Sequence, residues 1–76
     1  MAQVDWPMEL NNYCQKNKIT MSWNQTSIGP QNAATWTVLA IIGGTEYGRG
    51  SARNSKQAKA IAAEMALRAL WQQRGQ

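Results

Sequence analysis

A pair of glycines, Gly43-Gly44, separates two stretches of β-branched and aromatic residues. Trp36 to Ile42 precedes the pair, and Thr45-Glu46-Tyr47 follows it. Two glycines between strand signals are typical of a tight hairpin, because its turn needs backbone conformations that other residues resist. The sequence therefore predicts two antiparallel strands, and this hairpin fixes the middle of the fold.

A third strand is predicted before the hairpin. Apolar and polar residues alternate from Ile19 to Trp23, which is the pattern of a half-buried strand. The polar segment from Asn24 to Ala34 then exceeds the length of a tight turn. We expect this segment to be a loop that is either disordered or used for function.

Helix signals lie on both sides of the predicted strands. The first helix is expected from Asp5, a favourable N-cap residue, to about Asn17, with Leu10, Tyr13 and Cys14 on its buried face. After it come the three strands, and then a second helix. The order of elements predicts an α+β fold of the α-β-β-β-α type, with a three-stranded antiparallel sheet and two helices packed on one face.

The second helix is expected from Ser55 to about Trp71. Asn54 and Gln57 have the spacing of a capping box at its start. Residues from Gln72 onward are expected to fray. The expected apolar stripe consists of Ala58, Ile61, Ala62, Met65, Ala69 and Leu70.

Length and residue types exclude several classes of function. We expect residues 1–76 to form a single domain, ordered from about residue 5 to residue 71. One cysteine and no histidine argue against a disulfide framework or a structural zinc site. No acid/base pair or nucleophile pattern indicates an enzyme, and no cofactor is expected. The absence of a secretion signal and of an apolar run of about 20 residues favours an intracellular setting, cytoplasmic or nuclear.

The basic residues are concentrated in one segment of the chain. Gly48 to Lys59 contains four of the eight Lys and Arg residues, and no acidic residue lies between Glu46 and Glu64. We expect a flexible Gly-x-Gly turn that leads into the second helix. Backbone N–H groups at a helix N-terminus, the helix dipole and nearby lysines all favour phosphate oxygens. A membrane-binding helix would carry basic residues along its length, so the pattern indicates a local site for a polyanion.

Three segments carry a recognisable pattern in collinear order: Glu9 to Lys16, Gly29 to Asn32 with the strand at Trp36, and Ser55 to Lys59. Together they resemble the double-stranded-RNA-binding domain (dsRBD) family. Glu9 to Lys16 is similar to the family's first helix. Gly29-Pro30-Gln31-Asn32, followed by the strand at Trp36, resembles its Gly-Pro-x-His loop and the next strand. Ser55-Lys56-Gln57-Ala58-Lys59 resembles its Lys-Lys-x-Ala-Lys helix start. The resemblance covers nearly the whole chain and implies non-catalytic binding of double-stranded RNA by shape.

The resemblance also implies three contacts with an A-form duplex. Asn11 and Asn12 of the first helix would face one minor groove, and the Gly29–Asn32 loop would enter the next one. The phosphates of the intervening major groove would be contacted by Asn54, Ser55, Lys56 and Lys59, with Arg53 as a candidate substitute for the lysine that Ser55 replaces.

Several positions depart from the family pattern. Asn12 stands where many members have Glu, Asn32 replaces the usual His, and Ser55 replaces the first lysine. The approach to the lysines is also longer than usual, which brings Arg49 and Arg53 near as substitutes for the missing cation. We therefore expect weaker but not abolished binding.

A protein-binding or dimerising module is the alternative function. If Val38, Ala40 and Ile42 face the helices, Leu39 and Ile41 lie on the opposite, normally exposed face of the sheet. With Trp23 or Trp36 they would form an apolar patch suited to a protein partner or a homodimer.

Overall fold

The computed structural model describes residues 4–74, without the side chains of Gln31 and Arg74. Its sheet is antiparallel with the order β1-β2-β3, and both helices lie on one face, which confirms the predicted α-β-β-β-α architecture. The elements along the chain are α1 (Trp6–Lys16), β1 (Met21–Ile28), a 3₁₀ turn (Gln31–Ala33), β2 (Thr35–Ile42), β3 (Thr45–Ala52) and α2 (Ser55–Arg74).

Helix α1 begins and ends where its capping residues predict. The Asp5 carboxylate accepts a hydrogen bond from the amide of Met8 at 3.2 Å, which satisfies one of the free N–H groups of the first turn. At the other end the side-chain amide of Asn17 donates to the carbonyl of Tyr13 at 2.8 Å. Leu10 and Cys14 are buried, so the predicted inner face of the helix is confirmed.

Strand β1 is longer than the sequence predicts, and the expected long loop from Asn24 was wrong. Residues 24–28 pair with β2, with Gln25 opposite Val38 and Ser27 opposite Trp36. All five side chains are exposed, so no apolar alternation marks this part of the strand. Backbone hydrogen bonds to β2 define it instead, and the connection shrinks to residues 29–34.

Strand β3 is also longer, because the Gly-x-Gly segment belongs to it. The predicted hairpin turn is confirmed, with positive φ at Gly43 (60°) and Gly44 (84°). The expected flexible turn at Gly48 and Gly50 was wrong, since both glycines are buried beneath α2. A Cβ atom would lie 2.9 Å from the Ala66 amide nitrogen if added to Gly48, and 2.7 Å from that of Ala62 if added to Gly50. The glycines therefore let the helix rest directly on the strand backbone.

The close approach of α2 decides which of its residues are buried. Ala58, Ala62 and Ala66 lie against the glycines and are fully buried, because nothing larger fits there. Ile61 and Met65, which were predicted in the buried stripe, are instead 45% and 50% exposed. The core consists of Leu10, Cys14, Val38, Ala40, Ile42, Ala58, Ala62, Ala63, Ala66, Leu67 and Leu70.

The C-terminal end of α2 also differs from the prediction. The helix continues through Arg74, so the expected fraying from residue 72 was wrong for residues 72–74, and residues 75 and 76 lie outside the described range. Near this end the Tyr47 hydroxyl donates to Oε1 of Gln73 at 3.4 Å, a contact between β3 and the last turn of the helix.

Candidate nucleic-acid interface

The N-terminus of α2 is capped by Asn54. Its side-chain oxygen accepts a hydrogen bond from the amide of Gln57 at 2.8 Å, as the capping-box spacing predicts. Lys56, in the first turn, is exposed and borders a shallow groove formed with Val4, Asp5 and Pro7. The start of the helix is therefore an ordered element that presents a lysine to solvent.

Lys59 extends from α2 across the sheet to β1. Its Nζ atom lies 5.2 Å from the centroid of the Trp23 ring, which is a cation–π contact. Trp23 pairs with the buried Ala40 and packs against the core, so its ring lies on the helix face of the sheet. The structure thus places the ammonium group of Lys59 over β1.

The connection between β1 and β2 forms a second part of this surface. Gly29 has a φ of 102°, which disfavours any other residue there, and the Ala33 amide donates to the Pro30 carbonyl at 2.9 Å. Asn32 is exposed and lines a shallow cavity together with Arg53. The side chain of Gln31 lies outside the described part of the structure. The cavity shared with Asn32 places Arg53 next to the loop.

Helix α1 provides the third part. Asn11 and Asn12 are both exposed, whereas Leu10 and Cys14 of the same helix are buried. Asn12 also lines a groove that includes Lys16. Two side-chain amides are thus available here as hydrogen-bond donors and acceptors.

Strand β1 sets the distance between α1 and the loop. The Ile19 amide donates to the Cys14 carbonyl at 2.8 Å, so β1 begins directly after α1. At about 3.3 Å per residue, the last residue of β1 lies about 23 Å from its first. Lys59 lies over the third residue of the strand, and Arg53 lies beside the loop at its far end. Lys59 therefore lies over the strand before the loop, and Arg53 lies beside the loop itself.

The family of the chain follows from comparison with known proteins. The model of the double-stranded RNA binding motif matches residues 7–70. The chain belongs to this family. Ribonuclease 3 of Streptomyces coelicolor is 33% identical over 70 residues, which are 91% of this chain and 25% of that protein. Ribonuclease 3 of Corynebacterium glutamicum is 34% identical over 71 residues, which are 92% and 29% of the two chains. The chain thus spans little more than a quarter of the length of these relatives.

Solved structures agree with this assignment to the double-stranded RNA binding motif. Arabidopsis HYL1, whose structure is described for its implications for miRNA processing, superposes with a TM-score of 0.78 and 29% identity. The match covers 86% of this chain and 94% of that one. The second dsRBD of DRB4 gives a TM-score of 0.67 at 25% identity, over 88% and 96% of the two chains.

Arg49 and the apolar patch at Leu39 and Ile41 lie outside the candidate interface of this double-stranded RNA binding motif. Arg49 lies across from Leu39 on the outer face of the sheet and pairs with Glu46 at 3.3 Å, so it does not join the lysines. Leu39 and Ile41 are half-buried on that outer face, as predicted. The expected contribution of Trp23 or Trp36 to their patch was wrong, since both rings pack against the core on the helix face.

The contact of Trp23 with Lys59 was missed in the sequence. The alternation from Ile19 to Trp23 assigns the tryptophan to the core face, but it does not reveal that Lys59 crosses the sheet to reach it. Among residues 4–74, no group of three His, Cys, Asp or Glu side chains is placed to hold a metal ion. No helix in the same range is long and apolar enough to cross a membrane.

Proposed function

We propose that this double-stranded RNA binding motif acts as one domain, over residues 5–71, that binds A-form RNA duplexes by shape and carries out no catalysis. The observation that carries the proposal is the order of the groups along β1. Helix α1, which carries two exposed amides, leads directly into β1, Lys59 lies over the third residue of the strand, and a polar loop with Arg53 beside it lies at the far end. A duplex of about 16 base pairs presents minor groove, phosphates and minor groove in the same order.

Each segment has a distinct role in this proposal. Asn11 and Asn12 donate hydrogen bonds to 2′-hydroxyls or base edges of the first minor groove, and residues 29–32 contact the second. Lys56, Lys59 and the α2 N-terminus at Asn54 and Ser55 bind phosphates across the major groove. Ser55 is uncharged where the family has a lysine, and Arg53, located beside Asn32, supplies a cation in its place.

A binding titration tests this function. We expect a fluorescently labelled RNA duplex of about 20 base pairs to bind more tightly than a DNA duplex of the same length, because the motif recognises A-form geometry and 2′-hydroxyls. The Lys56→Ala/Lys59→Ala variant is expected to lose at least ten-fold in affinity and to reduce the salt slope by about two. Equal affinity for the two duplexes would contradict the proposal.

A matched control removes the same charge elsewhere. Arg49 lies on the outer face of the sheet, and Arg68 pairs with Glu64 at 2.9 Å on α2, beside Ile61 and Met65. The Arg49→Ala/Arg68→Ala variant has the same net charge as the lysine variant. We expect its affinity and salt slope to stay near those of the unmodified protein. An equal loss in both variants would indicate attraction by net charge alone.

Protein contact through Leu39 and Ile41 has less support. Both side chains are already half-buried, and their neighbours on this face of the sheet are polar. Leu39, for example, lies between Asn24 and Arg49. Without Trp23 and Trp36 the apolar patch is small, and small apolar areas are ordinary on protein surfaces. RNA binding is therefore the function that the arrangement favours.

A further inference from the structure

Among the described residues Lys59 lies over the Trp23 ring and Arg68 lies over the Trp6 ring, at 5.9 Å, but Arg68 is also paired with a carboxylate. Arg49 and Arg68 each pair with a glutamate, at 3.3 Å and 2.9 Å. The Lys59 nitrogen instead lies 5.2 Å from the centre of an indole ring. A carboxylate cancels the charge of its partner, whereas an aromatic face attracts the cation and leaves its charge and its N–H donors available.

The Trp23 ring is well suited to hold a cation in a fixed place. It belongs to β1, its strand pairs it with the buried Ala40, and it packs against the hydrophobic core. Lys59 is equally constrained at its backbone, because the neighbouring Ala58 is fully buried over Gly50. The only freedom left to the charge is rotation about the four-carbon stem of the lysine, and the ring limits that rotation.

Restraint of this side chain matters for a phosphate contact. A lysine that is free in solution loses rotamer entropy when it is fixed against a ligand, and this loss weakens binding. A lysine already held over Trp23 has lost much of that freedom in the unbound protein. Its position between α1 and the loop is also set before the duplex arrives, in the interval where the proposed site needs a cation.

We infer that Trp23 is a positioning residue of the RNA-binding site, which orients the Lys59 ammonium toward the phosphates without neutralising it. The inference rests on the proposed function, because it assigns a role within the same surface. The effect expected from a single partly exposed cation–π contact is a two- to five-fold change in affinity. The number of phosphate contacts stays the same, so the salt dependence is expected not to change.

A double-mutant cycle between Trp23 and Lys59 tests the inference. Trp23→Leu keeps an apolar side chain against the core and removes the aromatic face, and Lys59→Ala removes the charge. We expect Trp23→Leu to weaken binding of the RNA duplex two- to five-fold when Lys59 is present and to have no effect in the Lys59→Ala background. The salt slope should fall by about one for Lys59→Ala and remain unchanged for Trp23→Leu.

Two further measurements separate positioning from packing. Trp23→Phe retains an aromatic face and a large apolar side chain, so it should recover most of the affinity. If Trp23→Leu does not fold by circular dichroism, Trp23→Met replaces it in the cycle, because methionine is apolar, adapts to irregular gaps and has no aromatic face. In the free protein, NMR should show a ring-current shift of the Lys59 methylene proton resonances. This shift should disappear in the single variant Trp23→Leu.

The possible failures are distinguishable. If the unmodified protein does not bind the RNA duplex, the proposed function and this inference both fall. If it binds but Trp23→Leu weakens binding equally with and without Lys59, the tryptophan acts through packing and only the inference is wrong. Unchanged affinity in Trp23→Leu would overturn the inference as well.

Discussion

The contact between α2 and the backbone of β3 makes Gly48 a sensitive position for stability. In Gly48→Ala the new Cβ would lie 2.9 Å from the Ala66 amide nitrogen and closer still to the Ala62 carbonyl oxygen. Ordinary contacts of a Cβ atom begin near 3.4 Å. Both obstructing atoms belong to helix backbone, so the clash cannot be relieved by rotating a side chain. The whole helix has to move away from the strand.

The size of the effect follows from two opposing terms. Alanine normally favours a strand over glycine by about 0.5–1 kcal/mol. Against this, overpacking of a filled core destabilises by about 1–3 kcal/mol, and a gap of 0.5–1 Å removes a quarter to a half of each dispersion contact it opens. Because Ala58, Ala62 and Ala66 all lose contact together, we expect the upper end of the overpacking cost, which leaves a net loss of about 2–2.5 kcal/mol.

A loss of this size is readily measured. Domains of this length have a free energy of unfolding of about 4–11 kcal/mol, and each kcal/mol shifts the melting temperature by about 4–8 °C. Gly48→Ala should therefore melt about 8–20 °C below the unmodified protein. Urea denaturation followed by tryptophan fluorescence gives the free energy independently, and an unchanged m-value would show that the same surface is exposed on unfolding.

Gly44→Ala is the matched control. It makes the same chemical change in the same hairpin, but no atom lies within 4 Å of the added Cβ. Its φ of 84° gives a backbone penalty of about 1–2 kcal/mol without any steric overlap. We expect Gly48→Ala to be the less stable of the two. If Gly48→Ala matched or exceeded the stability of the unmodified protein, α2 could not rest on the strand backbone as described.

Two other positions give simpler tests. Asn54→Ala removes the 2.8 Å hydrogen bond from the Gln57 amide and should lower the free energy of unfolding, measured in urea, by about 1 kcal/mol. Asn54→Asp keeps the hydrogen-bond acceptor and should keep the stability, so equal losses in the two variants would contradict a capping role. Burial raises the pKa of the Cys14 thiol above its ordinary value of 9.0, so the fold favours the neutral thiol. The stability that comes from the neutral thiol is complete below pH 9 and is lost as pH rises through the folded-state pKa. The free energy of unfolding should therefore fall more steeply with pH in the unmodified protein than in Cys14→Ala, and parallel curves for the two proteins would exclude this contribution.

Local signals were sufficient for the elements that bury a regular apolar pattern. The caps Asp5 and Asn54 set both helix starts, and the positive-φ pair Gly43-Gly44 set the hairpin. The exposed residues of the candidate interface were also placed on the predicted elements, because loops and helix starts keep their polar side chains in solvent. These features depend on residues close together in the chain.

The features that were missed depend on contacts between distant segments. The end of β1 has two polar faces, so only its pairing with β2 identifies it as a strand. Gly48 and Gly50 have the composition of a turn, and their true role depends on alanines located in α2. For the same reason Ile61 and Met65 have the spacing of core residues, yet the strand backbone leaves no room for them beneath the helix.

The glycines of β3 connect the stability of the fold to the geometry of the proposed site. Ala58 lies over Gly50, and the next residue, Lys59, reaches across the sheet to Trp23. The height of α2 above β3 therefore also determines where the ammonium group lies above β1. A side chain at Gly50 would raise the helix and move the lysine away from its ring, even though Gly50 itself touches neither. The affinity for RNA should therefore fall in Gly50→Ala, although Gly50 is buried beneath the helix.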